Sequence, residues 1–207
     1  MKTNFKIKVC GMRDPHNIKS VDELNADYVG FIFYMHSPRN MDKNFGAIPE
    51  TNAKRVGVFV DESIETIIKK ARNFRLNTVQ LHGEESPEIC AELTELGYEV
   101  IKAFKIDNEF DTNILELYAN VCAYFLFDTK GETDGGTGRK FDWNKLKELS
   151  PYAEFFLSGG IGPEDAQEIL QMNVHNLVGI DLNSRFEIEP GLKDEQKLKE
   201  FITILRN

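Results

Sequence analysis

The feature that most constrains the fold is a rhythm of eight short apolar runs along the whole chain, whose starts lie 21 to 31 residues apart. Several runs are rich in Val, Ile and Phe with little apolar/polar alternation, which is typical of strands covered on both faces, as in a parallel sheet. The predicted strands are FKIKV from Phe5, YVGFIF from Tyr28, RVGVFV from Arg55, TVQL from Thr78, EVIKAF from Glu99, AYFLFD from Ala123, EFFLSG from Glu154 and LVGIDL from Leu177.

Amphipathic segments separate these runs, and their apolar residues recur three and four apart, which predicts helices. The clearest are residues 63–74, 86–96 and 162–172, with a final helix from Asp194 to Leu205. Ser63, Ser86 and Asp194 stand where an N-cap is expected. Residues 40–54 carry Gly46 and Pro49 and are predicted to hold little more than a turn or two.

Eight strand–helix units of roughly 25 residues predict a closed (β/α)₈ barrel, the TIM-barrel fold, as one domain over residues 1–207. The rival is a doubly wound open sheet. That fold would normally need only five or six strands in this length and would carry a glycine-rich phosphate turn after the first strand. The corresponding stretch here, CGMRD, has one glycine and no GxGxxG pattern.

Charge and composition exclude several classes of function. The formal net charge is -9 and the pI is near 5.0, so no net positive field favours nucleic acid or an anionic membrane. No run resembles a signal peptide or reaches transmembrane length. Three cysteines, Cys10, Cys90 and Cys122, lack CxxC spacing, which argues against a disulfide framework or a thiolate metal site. A cytoplasmic protein is predicted.

The active site of such a barrel is built at the carboxyl ends of the strands. The residues closing the apolar runs are Cys10, Ser37-Pro38-Arg39, His82-Gly83, Lys102, Asp128, Gly159-Gly160 and Asp181. Gln80 precedes His82 on the same strand. This set supplies titratable groups, an anion-binding arginine and a tight glycine pair, and we interpret it as a catalytic site.

Cys10 and Asp128 are the candidate proton-transfer groups. A thiol becomes a useful base or nucleophile when a nearby cation lowers its pKa, and a carboxyl beside apolar surface can donate a proton near neutral pH. The alternatives are a small buried hydrophobe for Cys10 and a loop cap for Asp128. Residues 129–143, with Gly136 among four glycines, are interpreted either as a lid that excludes water or as a surface turn.

The loops after strands seven and eight are the customary phosphate site of this barrel class. Gly159 and Gly160 permit close approach by a phosphate, and Asn183 and Ser184 add side-chain donors, with Arg185 as a further candidate. Arg39 offers a planar fork suited to a carboxylate or a second phosphate. His82 is a candidate for lining the pocket or for a structural hydrogen bond, and Lys102 for catalysis, pairing or simple burial of its stem.

These motifs, taken in order, resemble phosphoribosylanthranilate isomerases, a family of the tryptophan pathway. The resemblance rests on KVCGMRD, GFIF with SPR, VGVFV, VQLHGEES, DT followed by GGTGRKFDW, LSGGIGPEDA, GIDLNSRFE and PGLKD. It implies Cys10 as general base, Asp128 as general acid and Arg39 as the ligand of the anthranilate carboxylate. It further implies phosphate contacts from Gly159, Gly160, Asn183 and Ser184, with His82, Asp181 and Gly136 lining the site.

The sequence departs from the family pattern in one place. Many members carry Ser-Ser-Gly where this chain has Asn183-Ser184-Arg185. Arginine cannot adopt a positive-φ glycine conformation without strain. Either the turn has ordinary dihedrals, or the phosphate contacts differ.

The implied reaction is an Amadori rearrangement of a small phosphosugar–anthranilate substrate, with no cofactor, by a monomer or homodimer. A histidine-pathway isomerase is a second reading, but its base is an aspartate at the end of strand one and its substrate needs two related phosphate loops. A non-catalytic binding module is a third. Such a module would tolerate loss of Cys10 and Asp128, so their joint presence favours an enzyme.

Overall fold

The computed structural model describes residues 5–43, 47–107, 109–128, 143, 146–149 and 152–206. Eight parallel strands close into a barrel, with β1 hydrogen-bonded to both β2 and β8. They are β1 (Lys6–Val9), β2 (Tyr28–Ile32), β3 (Lys54–Phe59), β4 (Thr78–Leu81), β5 (Glu99–Lys105), β6 (Tyr124–Asp128), β7 (Phe155–Ser158) and β8 (Leu177–Leu182). The predicted barrel is confirmed, and the open-sheet alternative is wrong.

Helices follow the strands on the outside of the barrel. They are α1 (Pro15–Glu23), α2 (Ile64–Phe74), α3 (Pro87–Glu95), α4 (Leu115–Tyr118), α5 (Leu146–Leu149), α6 (Ala166–Gln171) and α7 (Glu195–Arg206), with 3₁₀ turns at Met41–Lys43, Thr112–Ile114, Pro163–Asp165 and Ser184–Phe186. The segment 40–54 thus contributes one short turn within its described residues. Among the described helices, none has the length and apolar character needed to cross a membrane.

Capping explains where the long helices begin. The Ser63 hydroxyl accepts the N–H of Thr66, and the Asp194 carboxylate accepts the N–H of Lys197, so both predicted N-caps are confirmed. Ser86 precedes α3 without a side-chain cap bond, and Pro87 occupies the first helical position. Proline is favoured there because the N–H groups of the first helical turn have no partner within the helix, so the missing N–H of proline breaks no hydrogen bond.

Apolar side chains form two cores, one between strands and helices and one inside the barrel. The inner core includes Val56, Val58, Ile101, Leu126 and Phe156, all nearly inaccessible to solvent. Because these side chains fill the barrel, a substrate can be received only at its mouth. A short antiparallel hairpin, β9 (Glu187–Glu189) with β10 (Leu192–Lys193), follows β8 at the carboxyl end of the barrel. No pattern in the sequence predicts it.

The packing of the inner core leaves no room for a side chain at Gly179. A Cβ on this β8 residue would lie 2.3 Å from a ring carbon of Phe156 and 3.0 Å from the backbone oxygen of Lys6. We expect Gly179→Ala to lower the free energy of unfolding by about 1–3 kcal/mol, because a buried ring must leave its rotamer. Chemical denaturation measures this change. Adding Phe156→Leu should recover part of the loss through a favourable coupling energy; strict additivity would contradict the clash.

Candidate functional site

Cys10 directly follows β1, and its side chain faces the barrel interior with 3% exposure. Its N–H donates to the Leu182 carbonyl at 2.9 Å, which fixes the backbone against the end of β8. On the other side, a Cβ at Gly30 of β2 would lie 2.9 Å from the Cys10 sulfur. Gly30 therefore leaves the room that the thiol occupies.

A buried charge pair stands beside this thiol. Lys8 is fully buried, and its Nζ donates to Oδ1 of Asp181 at 2.7 Å. Burial lowers the pKa of Lys8, but the charges and hydrogen bonds of Asp181 and Cys10 together outweigh it and leave that pKa raised. Lys8 is thus a permanent cation next to Cys10.

The electrostatic balance at Cys10 has opposing parts. Burial raises the pKa of the thiol and dominates, while the positive charges of Lys8 and Lys193 lower it and the negative charge of Asp181 raises it further. The neutral thiol is therefore the major form at neutral pH, and the thiolate is the minor form. The two cations are placed to stabilise the thiolate that forms when the proton is lost.

Asp181 lies on β8, as predicted, but its carboxylate is committed to protein partners. Besides Lys8, it accepts the Ser158 hydroxyl at 3.0 Å, and the residue is only 5% exposed. Asp181 therefore holds the Lys8 ammonium in place beside Cys10.

Gly11 explains why a glycine follows the cysteine at once. Its φ is +76°, and a Cβ there would lie 2.6 Å from Cδ of Arg39 and 3.0 Å from Oδ1 of Asn183. Arg39 belongs to the loop after β2, where its N–H donates to the Ser37 hydroxyl at 3.1 Å. Because Gly11, the residue after Cys10, has no side chain, Arg39 can lie directly over the end of β1.

Arg39 is paired, which the sequence did not predict. Its Nε donates to both oxygens of Glu187, at 2.8 and 3.0 Å, and its Nη2 donates to Oε2 at 2.5 Å. Lys193 donates to Oε1 of the same carboxylate at 2.8 Å. Glu187 lies in the SRFE motif and Lys193 in PGLKD. No sequence signal assigned either residue to the site, because their pairing depends on the hairpin that follows β8.

Asp128 ends β6 and lies on the same face of the strand as Leu126, which belongs to the inner core. Its Oδ2 lies 3.5 Å from Nε2 of His82, which follows β4, and the Asp128 side chain is 21% exposed. The ring Nδ1 of His82 lies 3.0 Å from Nε2 of Gln80. With that amide nitrogen as donor, Nδ1 accepts and the proton of the neutral ring is on Nε2, towards Asp128. His82 thus lies beside Asp128 at the carboxyl end of the barrel, with Gln80 fixing its ring, and its role in lining the pocket stays a prediction.

The glycine pair after β7 has the geometry of an anion loop. Gly159 and Gly160 have φ of +94° and +68°, and a Cβ at Gly160 would meet nothing within 4 Å. Among the described residues, neither glycine N–H donates a backbone hydrogen bond. Two backbone donors in successive positive-φ glycines are suited to a phosphate.

The loop after β8 settles the question about Arg185. Ser184–Phe186 form a 3₁₀ turn, and Arg185 is not among the described residues with positive φ, so the turn has ordinary dihedrals. Arg185 pairs with Glu164 of the neighbouring loop at 2.5 Å. The side-chain oxygen of Asn183 accepts from Lys193 at 2.8 Å.

Lys102 does not belong to this site, and its prediction as a strand-end group was wrong. It lies in the middle of β5, where it is buried and donates to the Gly83 carbonyl at 2.6 Å and to Glu85 at 3.1 Å. It lies on the same face of β5 as Phe104, which belongs to the outer core. Its bonds to Gly83 and Glu85 anchor the loop after β4. Gly136 and the rest of the predicted lid, residues 129–142, lie outside the described residues.

Sequence comparison relates the chain to one family throughout its length. A family described as "PRAI: N-(5'phosphoribosyl)anthranilate (PRA) isomerase" matches residues 7–204. The N-(5'-phosphoribosyl)anthranilate isomerase of Parabacteroides distasonis is 47% identical over 95% of this chain and 91% of its own length. That of Phocaeicola vulgatus is 44% identical over 97% of both chains.

Solved structures agree with this relation. Phosphoribosyl anthranilate isomerase from Thermotoga maritima superposes with a TM-score of 0.81 at 33% identity, covering 97% of this chain and 98% of the other. A phosphoribosyl anthranilate isomerase crystallised with reduced 1-(o-carboxyphenylamino)-1-deoxyribulose 5-phosphate has a TM-score of 0.77 at 32% identity, covering 96% and 97%.

Proposed function

The chain belongs to the N-(5'-phosphoribosyl)anthranilate isomerase family, and we propose that it isomerises N-(5'-phosphoribosyl)anthranilate to 1-(2-carboxyphenylamino)-1-deoxyribulose 5-phosphate in tryptophan biosynthesis. The observation that carries the proposal is the arrangement of Cys10, Arg39 and Asp128 around one barrel mouth, beside the glycine pair after β7. A histidine-pathway activity lacks this support, because its base would be an aspartate where Cys10 stands.

The reaction needs two proton transfers on the sugar. In the proposed first step, the Asp128 carboxyl protonates the furanose ring oxygen, the C1–O bond breaks, and the nitrogen lone pair forms an iminium at C1. In the second step, the Cys10 thiolate removes the proton from C2, and the C2–H electrons form an enolamine. Tautomerisation of the enolamine gives the ketone. Only protons move between enzyme and substrate, so no step in this scheme needs a metal or an organic cofactor.

The position of the two groups suits opposite roles. Cys10 follows β1 and Asp128 ends β6, and in the closed barrel two strands, β7 and β8, lie between these two on the shorter way round. The acid and the base therefore stand on different sides of the mouth, where each can reach a different part of one substrate. Each proton-transfer group is expected to contribute about 10²- to 10⁴-fold to the rate.

Two anchors orient the substrate in this proposal. Arg39 receives the anthranilate carboxylate, for which its planar guanidinium is suited. The backbone N–H groups of Gly159 and Gly160 receive the phosphate, together with the 3₁₀ turn that starts at Ser184. Asn183 contributes through its backbone, because Lys193 holds its side-chain oxygen. Binding at both ends fixes the sugar between acid and base.

The expected oligomeric state is a monomer or a homodimer. One related Thermotoga maritima structure is described as that of monomers generated from a dimeric enzyme, with a TM-score of 0.80. Analytical ultracentrifugation of the purified chain measures the state directly.

The function is tested by mixing purified protein with freshly generated phosphoribosylanthranilate and following the loss of its fluorescence. We expect enzyme-dependent loss and a product that co-elutes with authentic 1-(2-carboxyphenylamino)-1-deoxyribulose 5-phosphate. Gly160→Ala is a useful comparison, because alanine at φ +68° is strained and should raise KM. Inactive wild-type protein with normal folding would refute the assignment.

A further inference from the structure

We propose that Glu187, balanced by Lys193, is a positioning residue that sets the orientation of Arg39 for the substrate carboxylate. This inference rests on the proposed function and gives a positioning role to two residues outside the acid–base pair. Glu187 and Lys193 both lie on the hairpin after β8, and their side chains are 5% and 0% exposed.

The charge balance is the first argument. A carboxylate on Arg39 alone would neutralise the guanidinium and compete with an anionic substrate. Lys193 is buried against the same carboxylate, with 2.8 Å between Nζ and Oε1. Two cations and one anion leave a net charge of +1, so the cluster keeps an attraction for a carboxylate.

The protonation state of Glu187 supports that count. Burial lowers the pKa of Lys193, and the charge and hydrogen bond of Glu187 oppose that shift. Burial raises the pKa of Glu187, but the hydrogen bonds from Arg39 and the charge of Lys193 outweigh it and hold that pKa below its usual range. Glu187 also accepts the N–H of Gly191 at 3.1 Å. It is therefore an anion at neutral pH, held from several directions.

The geometry of the contact is the second argument. Glu187 takes the side of the guanidinium formed by Nε and Nη2, with three contacts of 2.5 to 3.0 Å. Among the described residues, Nη1 of Arg39 makes no hydrogen bond. The outer edge, Nη1 with the second hydrogen of Nη2, is left for a planar ligand such as the anthranilate carboxylate.

The network also joins the two proposed anchors. Lys193 Nζ bridges Oε1 of Glu187 and Oδ1 of Asn183, each at 2.8 Å. Asn183 begins the turn proposed to bind phosphate, and a Cβ on Gly11 would touch both it and Arg39. The spacing between carboxylate and phosphate sites is thus set by one buried unit on rigid neighbours.

The test compares two substrates, phosphoribosylanthranilate and the same ribose phosphate carried on aniline, which lacks the carboxylate. Their ratio of kcat/KM measures the carboxylate preference. We expect Glu187→Gln to reduce this ratio by about 10- to 100-fold, the value of a hydrogen bond to a charged group, mainly through KM for the anthranilate substrate. Glu189→Gln, an exposed neighbour on the same hairpin, should leave the ratio unchanged.

A second variant guards against misfolding from an unbalanced buried charge. Glu187→Gln with Lys193→Met removes both charges of the pair and keeps the net charge at +1, so loss of preference there reports orientation and not charge. In an Arg39→Gln background, Glu187→Gln should have no further effect on the ratio, because the two residues act as a unit.

The outcomes separate the two claims. If wild-type protein converts neither substrate, the proposed function is refuted. If wild-type protein is active and both Glu187 variants keep the wild-type preference, only the positioning role fails. A higher preference or a lower KM in Glu187→Gln would also overturn it, because Glu187 would then be a competitor of the substrate for Arg39.

Discussion

Replacement of Cys10 with alanine is expected to lower kcat/KM for phosphoribosylanthranilate by at least about 100-fold, with little change in substrate affinity. The loss corresponds to removal of one general base, which contributes about 10²- to 10⁴-fold. The proposed carboxylate and phosphate anchors are unchanged in this variant, so the effect should fall on kcat. Stopped-flow or steady-state fluorescence with the wild-type protein alongside measures it.

The pH dependence gives this prediction a second readout. Burial raises the pKa of Cys10, with Lys8 and Lys193 opposing the shift and Asp181 adding to it. A base acts only when deprotonated, so the wild-type kcat/KM should rise with pH as the thiolate fraction grows. Cys10→Ala should lose this rising limb. A rising limb of unchanged position in the variant would assign it to another group.

Two further variants make the Cys10 result specific. Cys122→Ala removes a thiol that lies between α4 and β6, at the opposite end of the barrel, and should keep full activity. Cys10→Ser keeps the size of the side chain but has a hydroxyl that ionises far less readily, so it should resemble Cys10→Ala. Wild-type rates in Cys10→Ala would mean that Cys10 is a small buried hydrophobe and that another group is the base.

The barrel could be predicted from the sequence because each strand of a parallel sheet covered on both faces is marked by its own short apolar run. Each strand needs a short apolar run, and each observed strand begins within one residue of its predicted run, for example Tyr28 for β2 and Leu177 for β8. The starts of two helices could also be predicted from nearby residues, since Ser63 and Asp194 cap the helices that follow them. These features depend on neighbours in sequence.

The parts that could not be predicted depend on contacts across the barrel. Lys8 and Asp181 are 173 residues apart, and Arg39 and Glu187 are 148 apart. Nothing local marks such residues as partners. Lys102 has a different cause: its apolar run does not reveal that β5 continues to Lys105, so the sequence could not show that this lysine lies in mid-strand.

Replacement of Asp128 with asparagine is the second substitution expected to have a large effect, lowering kcat/KM by about 10²- to 10⁴-fold. Asparagine keeps the size of the side chain but cannot supply the proton for the ring oxygen. His82 lies 3.5 Å from Asp128 and is held by Gln80, so its position should survive the change. Since the proposed role of Asp128 is to open the ring, a substrate already in the open-chain form should restore much of the rate.

The control for Asp128 is another carboxylate at the same end of the barrel. Asp107 is exposed in the loop after β5, where its side chain accepts the N–H of Glu109 at 2.8 Å, and Asp107→Asn should keep wild-type activity. His82→Gln should cost far less than Asp128→Asn, because His82 contacts the acid and not the ring oxygen. If His82→Gln were the more damaging variant and Asp128→Asn nearly neutral, the imidazole would be the proton donor, and Asp128 would be the residue that orients it.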